Sequence, residues 1–249
     1  MVEEILKRKW KIWVEIAVVG GAVIAIALTG RQPDPVYQGK QLSEWFKDVP
    51  YAIPTNSMRS DFVDINSPAA KAILAMEGDA VPFLTSEFQS SSSKLQRWIA
   101  QQEEQYLGVK GALYALGERK LKAYFLLKGI GPKGSAAMPV LCHMAVNSWD
   151  RNDAIDAIEL IAHIHSNPEL AIPVLRKLLD EPDQKYLEWY VYALEMYGPA
   201  AKDAVPALAK FYQGAPASSF RKAALIRAIE KLDPLGIERE RMAMGRIKQ

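Results

Sequence analysis

The feature that most constrains the fold is a five-residue pattern that returns along the chain. Each copy reads alanine, a large apolar residue, proline and two further apolar residues. The copies are Ala80-Val81-Pro82-Phe83-Leu84, Ala137-Met138-Pro139-Val140-Leu141, Ala171-Ile172-Pro173-Val174-Leu175 and Ala204-Val205-Pro206-Ala207-Leu208. The last three prolines are 34 and 33 residues apart, whereas the first two are 57 apart. This period indicates repeated structural units, with an insertion or a degenerate repeat after the first copy.

A break between two helices precedes the later copies at a similar distance. The breaks are Gly131-Pro132, Asn167-Pro168 and Gly198-Pro199, and Asp233-Pro234 recurs in the same phase. Glycine or asparagine commonly ends one helix, and proline opens the next. We therefore expect each unit to be helix, turn, helix. The recurring proline should lie in the first turns of the second helix, where its missing N–H costs little.

The segments between these breaks have the apolar spacing of amphipathic helices. The predicted apolar faces are Tyr186, Trp189, Tyr190, Ala193, Leu194 and Tyr197; Ala137, Val140, Leu141 and Met144; and Leu225, Ala228, Ile229 and Leu232. One helix pair cannot bury both of its apolar faces, so pairs are expected to stack. The predicted fold class is all-α, an α-solenoid of stacked helix pairs over residues 67–235, preceded by a single N-terminal transmembrane helix.

The first thirty residues have the composition of a membrane anchor. A basic segment, 1–11, precedes an apolar run from Ile12 to Leu28 that is broken only by Glu15. A helix over this run spans about 26 Å, which is close to the thickness of a hydrocarbon core. Positive charges before the span place the N-terminus in the cytoplasm and the large domain on the far side, the periplasm in a bacterium. We predict a cytoplasmic segment over 1–11 and an uncleaved signal anchor over 12–30.

Two other interpretations of this segment stay open. Ala25-Ile26-Ala27 matches the small-residue pattern of a cleaved signal peptide, which would give a secreted protein. The segment could also be a buried helix of a soluble domain, although it has no amphipathic period. Two prolines in residues 31–35 predict an extended spacer, so residues 31–66 are interpreted as a linker and docking segment. Residues 236–249 are interpreted as a charged C-terminal tail or capping helix.

Charge argues against nucleic-acid binding. The net charge is +2, and no basic stripe lies outside the first eleven residues. Nucleic-acid binders usually carry such a stripe or a strongly basic domain. The basic residues considered for this role are spread over both helices of the repeats: Lys122, Lys128, Lys133, Arg176 and Lys177.

The repeats resemble the HEAT and HEAT-like family. The stretch Tyr197–Leu208 has Gly-Pro, small residues and then Val-Pro-x-Leu, and looks like the bacterial form. The stretch Ile130–Leu141 is similar, while the copies near Pro82 and Pro173 are looser. Tyr37–Trp45 looks like a stretch that precedes such repeats in membrane-anchored bacterial proteins, notably of the Verrucomicrobia and Planctomycetes. The resemblance implies a fold rather than an activity, since the superfamily includes adaptors, scaffolds, bilin lyases and a few enzymes.

The sequence predicts no catalytic, cofactor-binding or metal-binding residues. His163 and His165 are two positions apart and do not share a helix face. Helical-repeat hydroxylases resemble this fold but carry His-Glu iron ligands, a dipeptide that does not occur here. Cys142, beside His143, flanks an apolar stripe and is expected to be a packed cysteine. As the single cysteine it excludes an internal disulfide and a Cys-based zinc site. Residues 129–134 lack the spacing of a phosphate loop and are expected to form an inter-helix turn.

Other conspicuous groups also fit structural roles. The acidic pair Glu103-Glu104 is expected on the solvated surface. The aromatic helix over residues 186–197 is expected to fill the core, although Tyr190 and Tyr192 cannot both point inward.

We therefore predict a non-catalytic, membrane-anchored scaffold that binds a protein partner through residues the sequence does not identify. Residues 12–28 would contact the membrane, and no small-molecule substrate is evident. The alternative is an enzyme or enzyme-associated subunit of the HEAT-like lyase type, acting on a bound chromophore or peptide. The alternative predicts a deep pocket with converging titratable groups, whereas a scaffold predicts a shallow groove.

Overall fold

A computed structural model describes residues 34–51, 63–106, 108–180, 186–214 and 220–234. These residues are mostly helical, which confirms the predicted all-α class for them. The chain divides after Pro35, and the helices below belong to the second unit, Val36–Gln249. The predicted membrane span, 12–28, and the predicted tail, 236–249, lie outside the described residues. Within the described ranges, no helix combines the length and the apolar character needed to cross a membrane.

The second unit opens with a small ribbon and a short helix. Strand β1 (Val36–Tyr37) pairs antiparallel with β2 (Lys40–Gln41), and helix α1 (Leu42–Asp48) follows directly. The indole N–H of Trp45 in α1 donates to the carbonyl of Tyr37 at 3.1 Å, which ties the helix to the ribbon. The described part of the predicted linker therefore contains ordered secondary structure packed on the rest of the unit.

The remaining helices follow one another with short connections. They are α2 (Pro68–Ala75), α3 (Val81–Ser91), α4 (Lys94–Tyr106), α5 (Ala112–Ile130), α6 (Met138–Asn147), α7 (Arg151–Ile164), α8 (Pro168–Leu179), α9 (Leu187–Tyr197), α10 (Val205–Gly214) and α11 (Phe220–Leu232). Tight 3-10 turns, Glu77–Ala80, Gly131–Ala137 and Gly198–Ala204, lead into α3, α6 and α10.

The turns that begin at Gly131 and Gly198 have the same backbone geometry. Gly131 has φ 59° and ψ −135°, and Gly198 has φ 55° and ψ −135°. Residues other than glycine strongly disfavour this region of φ and ψ, because their Cβ atom clashes with the backbone. The residue after each turn, Met138 or Val205, begins the next helix with φ −54° and ψ −44°, and the recurring proline follows it. Pro82 takes the same second position in α3, so the predicted place of the proline is confirmed in these three copies.

The copy around Pro173 differs from the others. Here α8 begins at Pro168, directly after Asn167 with its left-handed φ of 49°. Pro173 therefore lies inside the helix, and the prediction that it occupies the first turns is wrong. The reason is that an α-helix starts at once where the other copies first form a 3-10 turn. Because proline lacks an N–H, the carbonyl of Glu169 has no helical donor four residues ahead.

The helices pack in two rows. In the first row, α5 contacts α7, α7 contacts α9 and α9 contacts α11; in the second, α3 contacts α6 and α6 contacts α8. Between the rows, α3 packs on α5, α6 on α7, α8 on α9 and α10 on α11. We term these two rows the helix stack. Their shared core is fully buried and includes Leu127, Leu141, Ile161, Leu175 and Leu194.

Most residues of the predicted apolar faces are buried, with one clear exception in α9. Tyr190 is buried and Tyr192 half-buried, as expected for two tyrosines that point in different directions. Trp189, placed on the apolar face by the sequence, is instead exposed. The buried stripe of α9 contains Leu187 and Val191. Trp189 is two positions from each of them, so it lies on a different side of the helix and is exposed.

Candidate interaction surfaces

The residues that the sequence singled out for chemistry do not converge. His165 ends α7 in a left-handed conformation, φ 34°, and is exposed, whereas His163 is half-buried with its ring 6.2 Å from that of Tyr192. Cys142 is buried, and burial raises the pKa of its thiol to about 11. Within the described residues, no group of three or more His, Cys, Asp or Glu side chains could hold a metal ion.

Ion pairs between neighbouring helices recur at nearly one repeat of sequence separation. The pairs are Glu87–Arg119 at 2.7 Å, Lys128–Glu159 at 2.8 Å, Glu188–Arg221 at 3.3 Å and Glu195–Arg227 at 3.1 Å. Their separations in sequence are 32, 31, 33 and 32 residues. The sequence reading missed these pairs, because neither partner is unusual in its own helix. The sequence signal that could have found them is a pair of opposite charges separated by about one repeat period.

The densest charge cluster surrounds Asp153, whose side chain is completely buried. The Arg97 guanidinium donates to both carboxylate oxygens of Asp153 at 3.1 and 3.0 Å, and to Asp150 at 3.2 Å. Lys120 pairs with Asp153 and lies 2.6 Å from Asp156. Burial acts to lower the pKa of Lys120, but the two carboxylates outweigh it and raise that pKa. Burial raises the pKa of Asp156 against the attraction of Lys120. The cluster thus joins α4, α5 and α7.

Three of the five basic residues weighed for nucleic-acid binding lie in ion pairs. Lys122 is buried and lies 2.6 Å from Glu118, Lys128 pairs with Glu159, and Lys133 pairs with Glu77. Burial of Lys122 was not expected from the sequence. Arg176 and Lys177 are exposed on α8 and form no ion pair within the part of the chain that the structure describes.

Helix α4 and the first turns of α5 project an exposed apolar surface. We term residues 94–118 the hairpin, and its exposed large apolar side chains the hairpin face: Leu95, Trp98, Tyr106, Val109, Leu113 and Tyr114. The hairpin occupies the 57-residue interval between the first two copies of the sequence pattern, so an added helix accounts for that interval. In α4, whose residues are all described, Ala100 is the buried one.

Polar contacts hold the hairpin in place. Besides the Arg97 ion pairs, the Arg97 guanidinium lies 5.2 Å from the ring centre of Trp149, and the Trp149 indole donates to the carbonyl of Ser92 at 3.1 Å. Glu104, half-buried rather than fully solvated, accepts from the backbone N–H of Leu113 at 3.0 Å and closes the turn. These contacts fix α4 while leaving the hairpin face open.

A shallow groove of about 400 Å³ lies on the second row, between α8 and the turn that precedes α10. Its lining residues are Arg176, Lys202, Asp203, Val205, Pro206 and Asp233. Lys202 lies 3.2 Å from Asp233, so these two charges are paired across one side of the groove. The exposed guanidinium of Arg176 is available on the other side.

Comparison of the chain with protein-family models, curated proteins and solved structures finds no match. The contacts between helices and these surfaces are therefore the basis for a function.

Proposed function

We propose that the protein is a HEAT-like α-solenoid, held to a membrane by residues 12–28, that serves as a scaffold for a protein partner. The observation that carries this proposal is the recurrence of contacts between successive helices of the first row at separations of 31 to 33 residues. Such recurrence is expected when each repeat lies against the next in the same way, as in a solenoid. The Tyr197 hydroxyl adds a further contact of this kind, donating to the carbonyl of Ser166 across 31 residues at 2.8 Å.

The matching turns at Gly131 and Gly198 support the same reading. Two segments with nearly equal φ and ψ at the glycine and at the first residue of the following helix are expected of one repeated unit. The N-terminal anchor rests on sequence: a basic segment followed by an apolar run of suitable length. The orientation that follows places the repeats on the periplasmic side of a bacterial membrane.

We assign partner binding to the second row, with the groove beside α8 as its centre. Leu170 and Pro173 are exposed near Arg176 on this helix, so the surface offers apolar and charged groups together. Protein interfaces combine such groups, whereas small-molecule sites are deeper and enclose most of the ligand. On the first row, Glu159 and Glu195 are already paired with Lys128 and Arg227, and are less free to pair with a partner.

The test is crosslinking capture of the tagged full-length protein from membranes, with Arg176→Glu compared with Lys71→Glu. Lys71 is an exposed residue of α2, so its substitution changes the net charge equally on another surface. We expect the wild type and Lys71→Glu to recover the same protein partner in near-equal amount, and Arg176→Glu to recover much less.

Three results would count against the proposal. Equal recovery by all three forms would exclude the groove. A bait found in the soluble fraction, shortened by the length of the anchor, would exclude the membrane attachment. Recovery of a coloured small molecule without a protein would favour the lyase-type alternative.

A further inference from the structure

The hairpin face differs in chemistry from the rest of the exposed surface. Along α4, Leu95, Trp98 and Tyr106 recur at spacings that place them on one side of the helix. Two of the charged residues between them are engaged elsewhere: Arg97 pairs with Asp153, and Glu104 accepts from Leu113. Large aromatic side chains with a polar tip favour the boundary between water and lipid headgroups.

The hairpin lies beside the segment that follows the proposed anchor. Residues 29–35 separate the apolar run from Val36, and seven extended residues reach at most about 25 Å. From there, Trp45 bonds to Tyr37, and the Lys47 carbonyl lies 3.4 Å from the Lys122 ammonium in α5. The ring of Tyr51 is 5.7 Å from that of Tyr114, at the start of α5. Residues 36–51 thus contact the hairpin at Tyr114 and the following part of α5 at Lys122.

Cations flank the hairpin face. Lys94 precedes Leu95 and lies 5.8 Å from the ring centre of Trp149, and Lys110 lies at the tip; both are exposed. Neither forms an ion pair with another residue of the described ranges. Lysine side chains can extend their apolar stems along a bilayer surface while the ammonium stays with the lipid headgroups.

We propose that the hairpin face rests on the bilayer surface, with Trp98, Tyr106 and Tyr114 in the interfacial layer. This contact rests on the proposed anchor, which supplies the tether. The hairpin would then be a second membrane contact that fixes the orientation of the helix stack. The competing occupants of this face are a second copy of the chain and a different protein.

The experiment places an environment-sensitive fluorophore at Tyr106→Cys in the full-length chain, reconstituted in phosphatidylcholine vesicles. The matched control carries the label at Lys177→Cys on α8. Both positions are exposed, so labelling should leave the fold intact, and this is checked by the circular dichroism melting curve. Cys142 is buried with a raised thiol pKa, so the unsubstituted chain is expected to stay nearly unlabelled at neutral pH and reports the background.

The measured quantities are flotation of the chain with the vesicles and quenching of the label by spin-labelled lipid against aqueous iodide. We expect flotation, with lipid quenching several-fold stronger at position 106 than at position 177. Flotation with both labels quenched equally by iodide would overturn the hairpin contact and leave the anchor standing. Failure to float would overturn both. Shielding at position 106 that disappears when the vesicles hold one chain each would identify a second copy as the occupant and overturn the lipid contact.

Discussion

Helix α7 of the stack and helix α4 of the hairpin have similar lengths, 14 and 13 residues, but differ in what holds them. Helix α7 buries a continuous set of side chains, among them Ala157, Leu160 and Ile161, between both rows. Helix α4 buries Ala100 and is tied down by Arg97 and the Trp149 contacts instead. Most helices in proteins are stabilised by packing rather than by intrinsic propensity. The comparison shows that α7 is held by the core, whereas α4 is held mainly by the ion pairs of Arg97 and the contacts of Trp149.

The largest expected effect comes from truncating the core of α7. Leu160→Ala removes a fully buried side chain, and we expect it to lower the free energy of unfolding by about 4 kcal/mol. Leu95→Ala, an equal truncation on the exposed face of α4, should change it by no more than about 0.5 kcal/mol in detergent. Urea unfolding followed by circular dichroism measures both. Similar losses for the two variants would show that α4 packs as tightly as α7.

The next largest effect concerns the ion pairs that attach α4 to the stack. Asp153→Asn leaves Lys120 and Arg97 facing a neutral group, and we expect a loss of about 3 kcal/mol, the low end for a buried pair because Arg97 is partly in water. Hydrogen exchange should also accelerate in α4 more than in α9. Asp180→Asn, on an exposed residue, is the control and should change little. Unchanged exchange in α4 would show that other contacts hold it.

A smaller effect on stability is expected from replacing glycines, and its sign should differ between the turn glycine Gly198 and the hairpin glycine Gly117. Gly198→Ala forces a side chain into the φ 55°, ψ −135° region, and should destabilise the protein by about 2 kcal/mol. Gly117→Ala lies inside α5 with open space around it, and should stabilise the protein by about 0.7 kcal/mol. Thermal unfolding measures the change in stability of each variant, and we expect a loss for Gly198→Ala and a gain for Gly117→Ala. A neutral Gly198→Ala would mean that the turn relaxes and is not fixed by the repeat.

The last expected effect is a pH dependence located in the stack, which appears only above neutral pH. Burial raises the pKa of Cys142 to about 11, above the value of 9.0 expected for an exposed thiol. The folded state therefore holds this proton more tightly than the unfolded state. The resulting stability is fully present below pH 9 and is lost as the pH rises towards 11. Between these values, unfolding free energy measured with urea should fall more steeply for the wild type than for Cys142→Ala. Parallel pH curves would contradict the burial of this thiol.

Local chemistry made part of the fold predictable from sequence. The Gly-Pro breaks required glycine for backbone reasons, and Pro139 and Pro206 fall where a missing N–H is tolerated. Both signals act within a few residues, so no tertiary knowledge was needed. Pro173 failed as a guide because the α-helix begins directly at Pro168, whereas Pro132 and Pro199 open 3-10 turns and the helix starts next to Pro139 and Pro206.

Features that depend on distant neighbours were not predictable. Trp189 is apolar and stands at helical spacing from Tyr186, but the contacts of α9 with α7 and α11 select the stripe through Leu187 instead. The sequence suggests that Lys122 is a surface cation, whereas in the fold it is buried against Glu118 and the carbonyl of Lys47. The candidate surfaces depend on such relations throughout, because an exposed apolar face is recognised only once the packed faces are known.

The signs of the interhelix charges carry information about assembly. Helix α5 presents Lys120 and Lys128 to the acidic side of α7, whereas α9 presents Glu188 and Glu195 to the basic side of α11. Repeats with similar apolar faces are prone to mispairing during folding, since one unit can substitute for another. A chain that skipped from α5 to α11 would set basic residues against Arg221 and Arg227. The charge pattern therefore favours the native pairs α5–α7 and α9–α11 over this skipped pairing.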